Sequence, residues 1–181
     1  MNKKKELLVL LKKKAFLKKK VKLSSGRISN FYIDVRKVSL SPKGVYLISH
    51  LIFNLLRGRK VTAIGGPTLG ADPIVSGVCY LAYKHKKKLK GFLIRKLPKK
   101  HGRQKLIEGQ VLVSGDKAVV VDDVATSGSS LIKAIEVLHK EKIKVAAVVS
   151  VVDREEGARE ALAGYNCPFI SLFTKSDFLN K

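Results

Sequence analysis

The chain has 181 residues and a mass of 20.0 kDa, with 45% hydrophobic residues and no Trp, a composition of one folded domain rather than a disordered segment. Thirty-seven Lys and Arg stand against 14 Asp and Glu, giving a formal net charge of +23 and a pI near 10.2. That balance argues against a dedicated cation binder and leaves nucleic acid, an anionic surface or an acidic small substrate.

Residues 6–17 read as a helix with Leu7, Leu8, Leu11 and Ala15 on one face. Residues 21–38 read as extended, with a turn at Ser24-Ser25-Gly26. Ser41-Pro42 is a helix start, because Ser caps and Pro suits the first helical position. That helix runs through Leu47, Leu51 and Leu55 and stops near Gly58. Strands and helices then alternate: a strand over Val61–Gly65, a helix over about 72–84, and a strand over Gly91–Ile94. Residues 97–117 read as a long loop or hairpin. Ala118–Val121 is a wholly apolar strand, and the turn Val124–Gly128 opens a helix over about 129–142. Val145–Val152 is a further apolar strand, a short helix lies near 156–163, and Phe169–Phe173 is the last strand. Strands apolar on both faces and alternating with helices predict a parallel sheet covered on both sides. In such folds ligands sit beyond the carboxyl ends of the strands.

No internal repeat or linker divides the chain, so residues 1–181 read as one domain. Cys79 and Cys167 are far apart and lack metal-ligand spacing, which points to a reducing compartment. The longest apolar stretches, 45–56 and 145–152, fall short of the roughly 18 residues of a membrane-spanning helix. The basic N-terminus is not a signal peptide, because its apolar run Leu7–Leu11 is broken by Lys12, Lys13 and Lys14. A soluble cytoplasmic protein with no membrane contact is expected.

The strongest local signal is the segment Val119–Ser130. An apolar strand ends in Asp122 and Asp123, and the turn Val124-Ala125-Thr126-Ser127-Gly128 then opens a helix at Ser129 and Ser130. Backbone N–H groups at a helix N-terminus, joined by Thr and Ser hydroxyls, cradle a phosphate. Two adjacent carboxylates beside such a cradle ask for hydroxyls or a metal, and a sugar phosphate supplies both. The bland alternative is a capped strand-to-helix loop.

This segment resembles the phosphoribosyl pyrophosphate (PRPP) motif of type I phosphoribosyltransferases. The resemblance implies that Asp122 and Asp123 hold the ribose hydroxyls and that Thr126–Ser130 bind the 5-phosphate. Four further segments resemble orotate phosphoribosyltransferase in particular. Leu23–Asp34 is similar to that family's "L-x-S-G-x-x-S-x-x-Y-x-D" signature, which covers the orotate pocket and brings in Ser25 and Gly26. Gly66–Ile74 resembles the loop that approaches the pyrophosphate. Arg95–Gly102 resembles the mobile catalytic loop "R-K-x-x-K-x-H-G". Asp153–Gly157 resembles "D-R-x-E-G", whose Arg, here Arg154, contacts the orotate carboxylate. The five motifs lie in the family's order over residues 23–157.

The resemblance implies a type I phosphoribosyltransferase fold of the α/β class, with a central, mainly parallel sheet flanked by helices. It places an N-terminal helix and hood over 1–40 and a PRPP-binding core over 61–152. The implied reaction makes orotidine 5-monophosphate and pyrophosphate from orotate and PRPP in pyrimidine (UMP) biosynthesis. Its implied catalytic set is Arg95, Lys99, His101 and Asp123. PRPP is assigned to Arg95, Lys96, Lys99, His101 and Asp122 through Ser130, and orotate to Ser25, Gly26, Thr126 and Arg154. Arg and Lys suit a leaving polyanion, and His101 suits proton or hydrogen-bond donation to it. Mg²⁺ is expected to arrive on the pyrophosphate, with no ligand set from the protein. A homodimer with shared sites is implied.

Glu155 and Glu156 read as exposed acids at a helix start, and Arg27, Arg36 and Arg103 as surface residues in preference to the alternative of phosphate contacts. Twenty-nine of the 37 basic residues are Lys, and the runs at 3–5, 12–14, 18–20 and 86–88 lack a recognition motif. A solvated face is therefore preferred over nucleic-acid contact. Two alternatives stand beside the main reading. One is a purine phosphoribosyltransferase, which has no need of Arg154. The other is a non-catalytic regulator that senses PRPP and binds nucleic acid, which would tend to lose the mobile loop.

Overall fold

The computed structural model describes residues 2–22, 28–29, 31–97 and 106–179. Helix α1 (Lys3–Lys14) opens earlier than the apolar spacing predicts. The reason is Asn2, whose side chain accepts a hydrogen bond from the Lys4 N–H at 3.0 Å and caps the first turn. Lys12, Lys13 and Lys14 occupy its last turn, where the helix dipole favours cations. Two small antiparallel pairs follow. Strand β1 (Phe16–Leu17) pairs with β4 (Tyr32–Ile33), and β2 (Val21–Lys22) pairs with β3 (Ile28–Ser29). The expected turn at 24–26 lies outside the described residues. The extended reading of 21–38 ends too late, because Arg36–Ser39 forms a short helix, α2.

Helix α3 (Pro42–Leu56) starts where the sequence says. Ser41 Oγ accepts from the Gly44 N–H at 3.2 Å and donates to the Val38 carbonyl at 2.8 Å, so it joins α2 to α3. Glu6 pairs with Lys43 at 2.5 Å and ties α1 to the start of α3. The rest of the chain is strand β5 (Ala63–Pro67), helix α4 (Ala71–Lys84), strands β6 (Lys90–Ile94), β7 (Ile107–Gly109) and β8 (Lys117–Ala125), helix α5 (Ser129–Lys140), strand β9 (Lys144–Asp153), helix α6 (Ala158–Leu162), strand β10 (Phe169–Thr174) and helix α7 (Lys175–Leu179). The last helix is not anticipated by the sequence. The expected hairpin over 97–117 is present as β7, which pairs antiparallel with β6.

These strands form one six-stranded sheet in the order β10-β9-β8-β5-β6-β7, parallel except for β7 at the edge. The all-apolar runs are explained by burial on both faces. Val119 and Val121 pack into the cluster formed with α1, α3 and α4. Their neighbours Ala118 and Val120 pack with Leu131, Ile135 and Leu138 of α5. Strand β8 runs four residues past the expected end because β9 accompanies it, with Val124 opposite Val152 and Ala125 opposite Asp153.

The amino-terminal edge of the sheet is locked by Asp116, which is 6% exposed. Its carboxylate accepts from Lys90 Nζ at 2.7 Å, Thr62 Oγ1 at 2.8 Å and the Val113 N–H at 2.8 Å. Thr62 Oγ1 in turn accepts from the Lys117 N–H at 2.9 Å, so one side chain joins the starts of β5, β6 and β8. Burial alone would raise this carboxyl; Lys90, Val113 and Thr62 outweigh it and hold it below its ordinary value. The sign follows: a carboxyl depressed in the folded state stabilises above its unfolded pKa and loses that contribution as pH falls through the folded value. Asp116→Ala is expected to lower stability by about 2 kcal/mol at pH 7. The difference from wild type should shrink in denaturant titrations below about pH 4, and an undiminished difference there would contradict the ionic origin.

Candidate active site

Because five strands run in parallel, their carboxyl ends deliver side chains to one edge. Strand β8 brings Asp122 and Asp123. Asp122 is 8% exposed, and Asp123 is half-buried beside it. Each carboxylate folds back on the main chain: Asp122 Oδ1 accepts from the Asp123 N–H at 2.9 Å, and Asp123 Oδ1 from the Val124 N–H at 2.8 Å. Burial pushes Asp122 well above the ordinary carboxylate range, and the neighbouring Asp123 charge adds to it. Burial also raises Asp123, although the Val124 amide and the nearby Arg36 charge oppose it. Among the described residues, the charges of Arg36 and Lys96 oppose this rise from a distance.

The turn after β8 passes through half-buried Thr126 and exposed Ser127 to Gly128, which has φ +79° and precedes α5. A left-handed backbone here favours glycine. A side chain would also meet the Ala158 backbone, at 3.3 Å from its Cα. No side chain caps α5, so its first N–H groups and the exposed Ser129 and Ser130 face outward at the same edge.

Strand β5 ends at Pro67 and leads through Thr68, Leu69 and Gly70 into α4. The Thr68–Leu69 peptide is cis. A Cβ on Gly70 would overlap the Oδ1 atoms of both Asp122 and Asp123. Glycine lets this loop lie against the acidic pair. On the outer side of the loop is an open cavity of about 580 Å³, lined in part by Asp34, Arg36, Lys37, Leu69 and Asp72. Arg36 Nε donates to Asp34 Oδ1 at 3.0 Å. Asp72 is raised by burial, and its Oδ1 has no hydrogen-bond partner among the described residues.

Strand β6 ends at Ile94, so Arg95, Lys96 and Leu97 stand exposed beyond it. Arg95 Nε donates to the Leu97 carbonyl at 3.3 Å, and its Nη1 lies 3.8 Å from Glu108 on β7. Lys96 acts electrostatically on Asp122 and lowers its proton affinity. Strand β9 ends at Asp153, and the next residue, Arg154, is 2% exposed. The Arg154 N–H donates to the Ala125 carbonyl at 2.9 Å, which holds it beside Thr126. Its guanidinium carbon lies 4.7 Å from the centre of the Phe31 ring.

A phosphoribosyl transferase domain matches residues 41–170. An orotate phosphoribosyltransferase from Aquifex aeolicus is 40% identical over 158 residues, covering 87% of this chain and 86% of that one. One from Rhodopseudomonas palustris is 36% identical and covers 94% of this chain and 93% of its own length. The orotate phosphoribosyltransferase of Mycobacterium tuberculosis, solved in complex with PRPP, superposes with a TM-score of 0.80 at 30% identity, covering 97% of this chain and 98% of that one. The chain belongs to the orotate phosphoribosyltransferases.

As a member of that family, the chain keeps Asp122, Asp123, Val124, Ala125, Thr126, Ser127, Gly128, Ser129 and Ser130 in one continuous strand–turn–helix segment. Val124 and Ala125 lie in the strand rather than in the turn. Arg95, Lys96 and Arg154 reach the same edge from β6 and β9. Ser25, Gly26, Lys99 and His101 lie outside the described residues, as do Arg27 and Arg103. One expectation needs correction. Glu156 is not an exposed helix-start acid: α6 begins later, at Ala158, and Glu156 pairs with Arg154 at 2.9 Å. Arg36 is exposed, as expected of a surface residue, and its charge acts on Asp123. Sequence reading also overlooks Phe31 as the ring against Arg154. The nearest signal for Phe31 was its place inside the Leu23–Asp34 signature.

The strained acidic pair carries a measurable consequence. Asp122→Asn keeps the accepting Oδ1 and removes a buried charge. It is expected to raise the stability of the ligand-free protein by about 1 kcal/mol while weakening PRPP binding. Thermal denaturation and PRPP titration on the same sample check this; a loss of both stability and affinity would contradict it.

Proposed function

We propose that this protein transfers the phosphoribosyl group of PRPP to N1 of orotate, giving orotidine 5-monophosphate and pyrophosphate in pyrimidine biosynthesis. The observation that carries this reading is the presence, at one sheet edge, of a buried guanidinium, Arg154, together with the buried Asp122 and half-buried Asp123. The guanidinium suits the carboxylate of orotate, since a neutral base offers it no charge partner. The two carboxylates suit the ribose hydroxyls, whose hydrogen bonds relieve their unfavourable burial. The N-terminus of α5, with Thr126, Ser127, Ser129 and Ser130, suits the 5-phosphate. Ser25 and Gly26 are assigned to the base pocket with Thr126.

The transition state resembles an oxocarbenium ion, and negative charge grows on the departing pyrophosphate. Positive charge already in place lowers that barrier. Arg95, Lys96 and Lys99 take this role, and His101 donates a proton or hydrogen bond to the leaving group. Asp123 is assigned to the ribose as it flattens. Magnesium enters as part of the substrate, on the pyrophosphate of PRPP, whose oxygens suit its hard coordination. Closure of the segment carrying Lys99 and His101 excludes water that would hydrolyse PRPP. We further propose that the protein works in the cytoplasm as a homodimer, with that segment completing the partner's site. Among the described residues no helix is long and apolar enough to cross a membrane.

The direct test mixes the protein with orotate, PRPP and Mg²⁺ and follows the loss of orotate absorbance. Rapid loss, dependent on all three, is expected. Turnover of a purine base with none of orotate would overturn the assignment, and salt-sensitive nucleic-acid binding without turnover would favour a regulator. For the loop, Lys99→Ala and His101→Ala are each expected to lower kcat by about a hundredfold with unchanged thermal denaturation. Near-normal rates in both variants would remove the loop from catalysis.

A further inference from the structure

Among the described residues, Arg154 is the only Lys or Arg that is buried. A buried guanidinium needs a counter-charge, but the counter-charge supplied here does more than neutralise. One oxygen of Glu156, Oε1, accepts from Arg154 Nε at 3.0 Å and lies 2.9 Å from Nη2. A single acceptor spanning those two nitrogens fixes the guanidinium's rotation in its own plane. The Phe31 ring, at 4.7 Å, fixes the plane itself. The Arg154 N–H bond to Ala125 fixes the root of the side chain.

Local backbone makes this contact possible. Glu155 takes φ +55°, so the chain reverses within one residue and Glu156 returns to Arg154. That conformation is uncommon for a residue with a side chain and persists where its surroundings hold it. Here the Glu155 N–H donates to Asp153 Oδ1 at 2.9 Å. Glu155 Oε2 accepts from the Ser176 N–H at 3.2 Å and from Ser176 Oγ at 2.9 Å. The turn is therefore anchored to β9 on one side and to α7 on the other, and Glu156 is carried on a fixed support.

We propose that Glu156 is the positioning residue for Arg154, setting the orientation in which the guanidinium receives the carboxylate of the base. The proposal rests on the reading of Arg154 as the carboxylate holder. A residue that only neutralised a buried charge would affect stability and both substrates alike. A positioning residue affects the substrate that Arg154 holds.

The experiment measures KM for orotate and for PRPP, kcat, and thermal denaturation in Arg154→Ala, Glu156→Ala, Glu156→Asp and Glu156→Gln. Glu156→Ala is expected to raise the orotate KM by about tenfold. The PRPP KM should stay within about threefold of wild type. Glu156→Asp, which keeps the charge but withdraws the oxygen by one methylene, should raise the orotate KM in the same selective way; it serves alone if the alanine variant does not fold. Glu156→Gln, which keeps an Oε1 acceptor, should recover most of the loss. If Arg154→Ala raises the orotate KM and neither Glu156→Ala nor Glu156→Asp does, the role of Glu156 is refuted and that of Arg154 stands. Equal increases in both KM values refute it as well. If Arg154→Ala leaves the orotate KM unchanged, the reading of Arg154 fails, and the proposal fails with it.

Discussion

Burying one carboxylate next to another is unfavourable, and the catalytic edge of this protein is arranged around that fact. Asp122 and Asp123 follow the apolar, buried run Ala118–Val121 of β8. They cannot turn away to solvent without breaking a ladder that β9 continues past them to Ala125. Oδ1 of each accepts from a main-chain amide, that of Asp123 or Val124. Gly70 removes the one side chain that would displace them, and Arg36 and Lys96 act on them from either side through their charge. The arrangement leaves carboxylate oxygens for which the described residues supply no hydroxyl donor. In the proposed reading a ribose brings two such hydroxyls, and its binding offsets the unfavourable burial.

The opposite edge of the same sheet shows how a buried carboxylate is treated when no ligand is needed. Asp116 has an ammonium, a hydroxyl and an amide as partners, and its proton affinity falls. Asp122 has one main-chain amide and a second carboxylate, and its proton affinity rises. Burial raises both carboxyls; at Asp116 three donors outweigh it, and at Asp122 the second carboxylate adds to it. Satisfaction at the amino-terminal edge offsets the lack of it at the carboxyl edge. Stability and function are thus assigned to opposite ends of the strands.

Most of the architecture was legible in the sequence because it rests on local rules. Ser41-Pro42 starts α3 by capping, the strand 118–121 is apolar throughout, and the Asp-Asp pair precedes a hydroxyl-rich helix start. What was not legible depends on residues meeting across the fold. The strand continued to Ala125 because β9 lies alongside, which the small residues after Asp123 do not disclose. Glu156 looked like a helix-start acid because acids favour that position. Only the left-handed turn at Glu155, itself anchored by Ser176, directs it to Arg154. Arg36 reads as a surface residue and is exposed, but the sequence does not disclose that its charge acts on Asp123.

The net charge of +23 acquires a narrower meaning in this setting. Among the described residues the carboxyl edge is mixed in charge. It carries Asp34, Asp72, Asp122, Asp123, Asp153, Glu155 and Glu156, half of the 14 acids in the chain. Several of its cations are already engaged, Arg36 with Asp34 and Arg154 with Glu156. Lysines spread over the remaining surface make the molecule attractive to any polyanion at long range, an effect that salt screens over about 8–10 Å. That attraction is indifferent to which polyanion arrives. In the proposed reading, discrimination belongs to a few groups whose geometry is fixed: two carboxylates assigned to hydroxyls, a helix start assigned to a phosphate, and one buried guanidinium assigned to a substrate carboxylate. Composition records the first effect and is silent on the second, because seven acids conceal the cations that matter most.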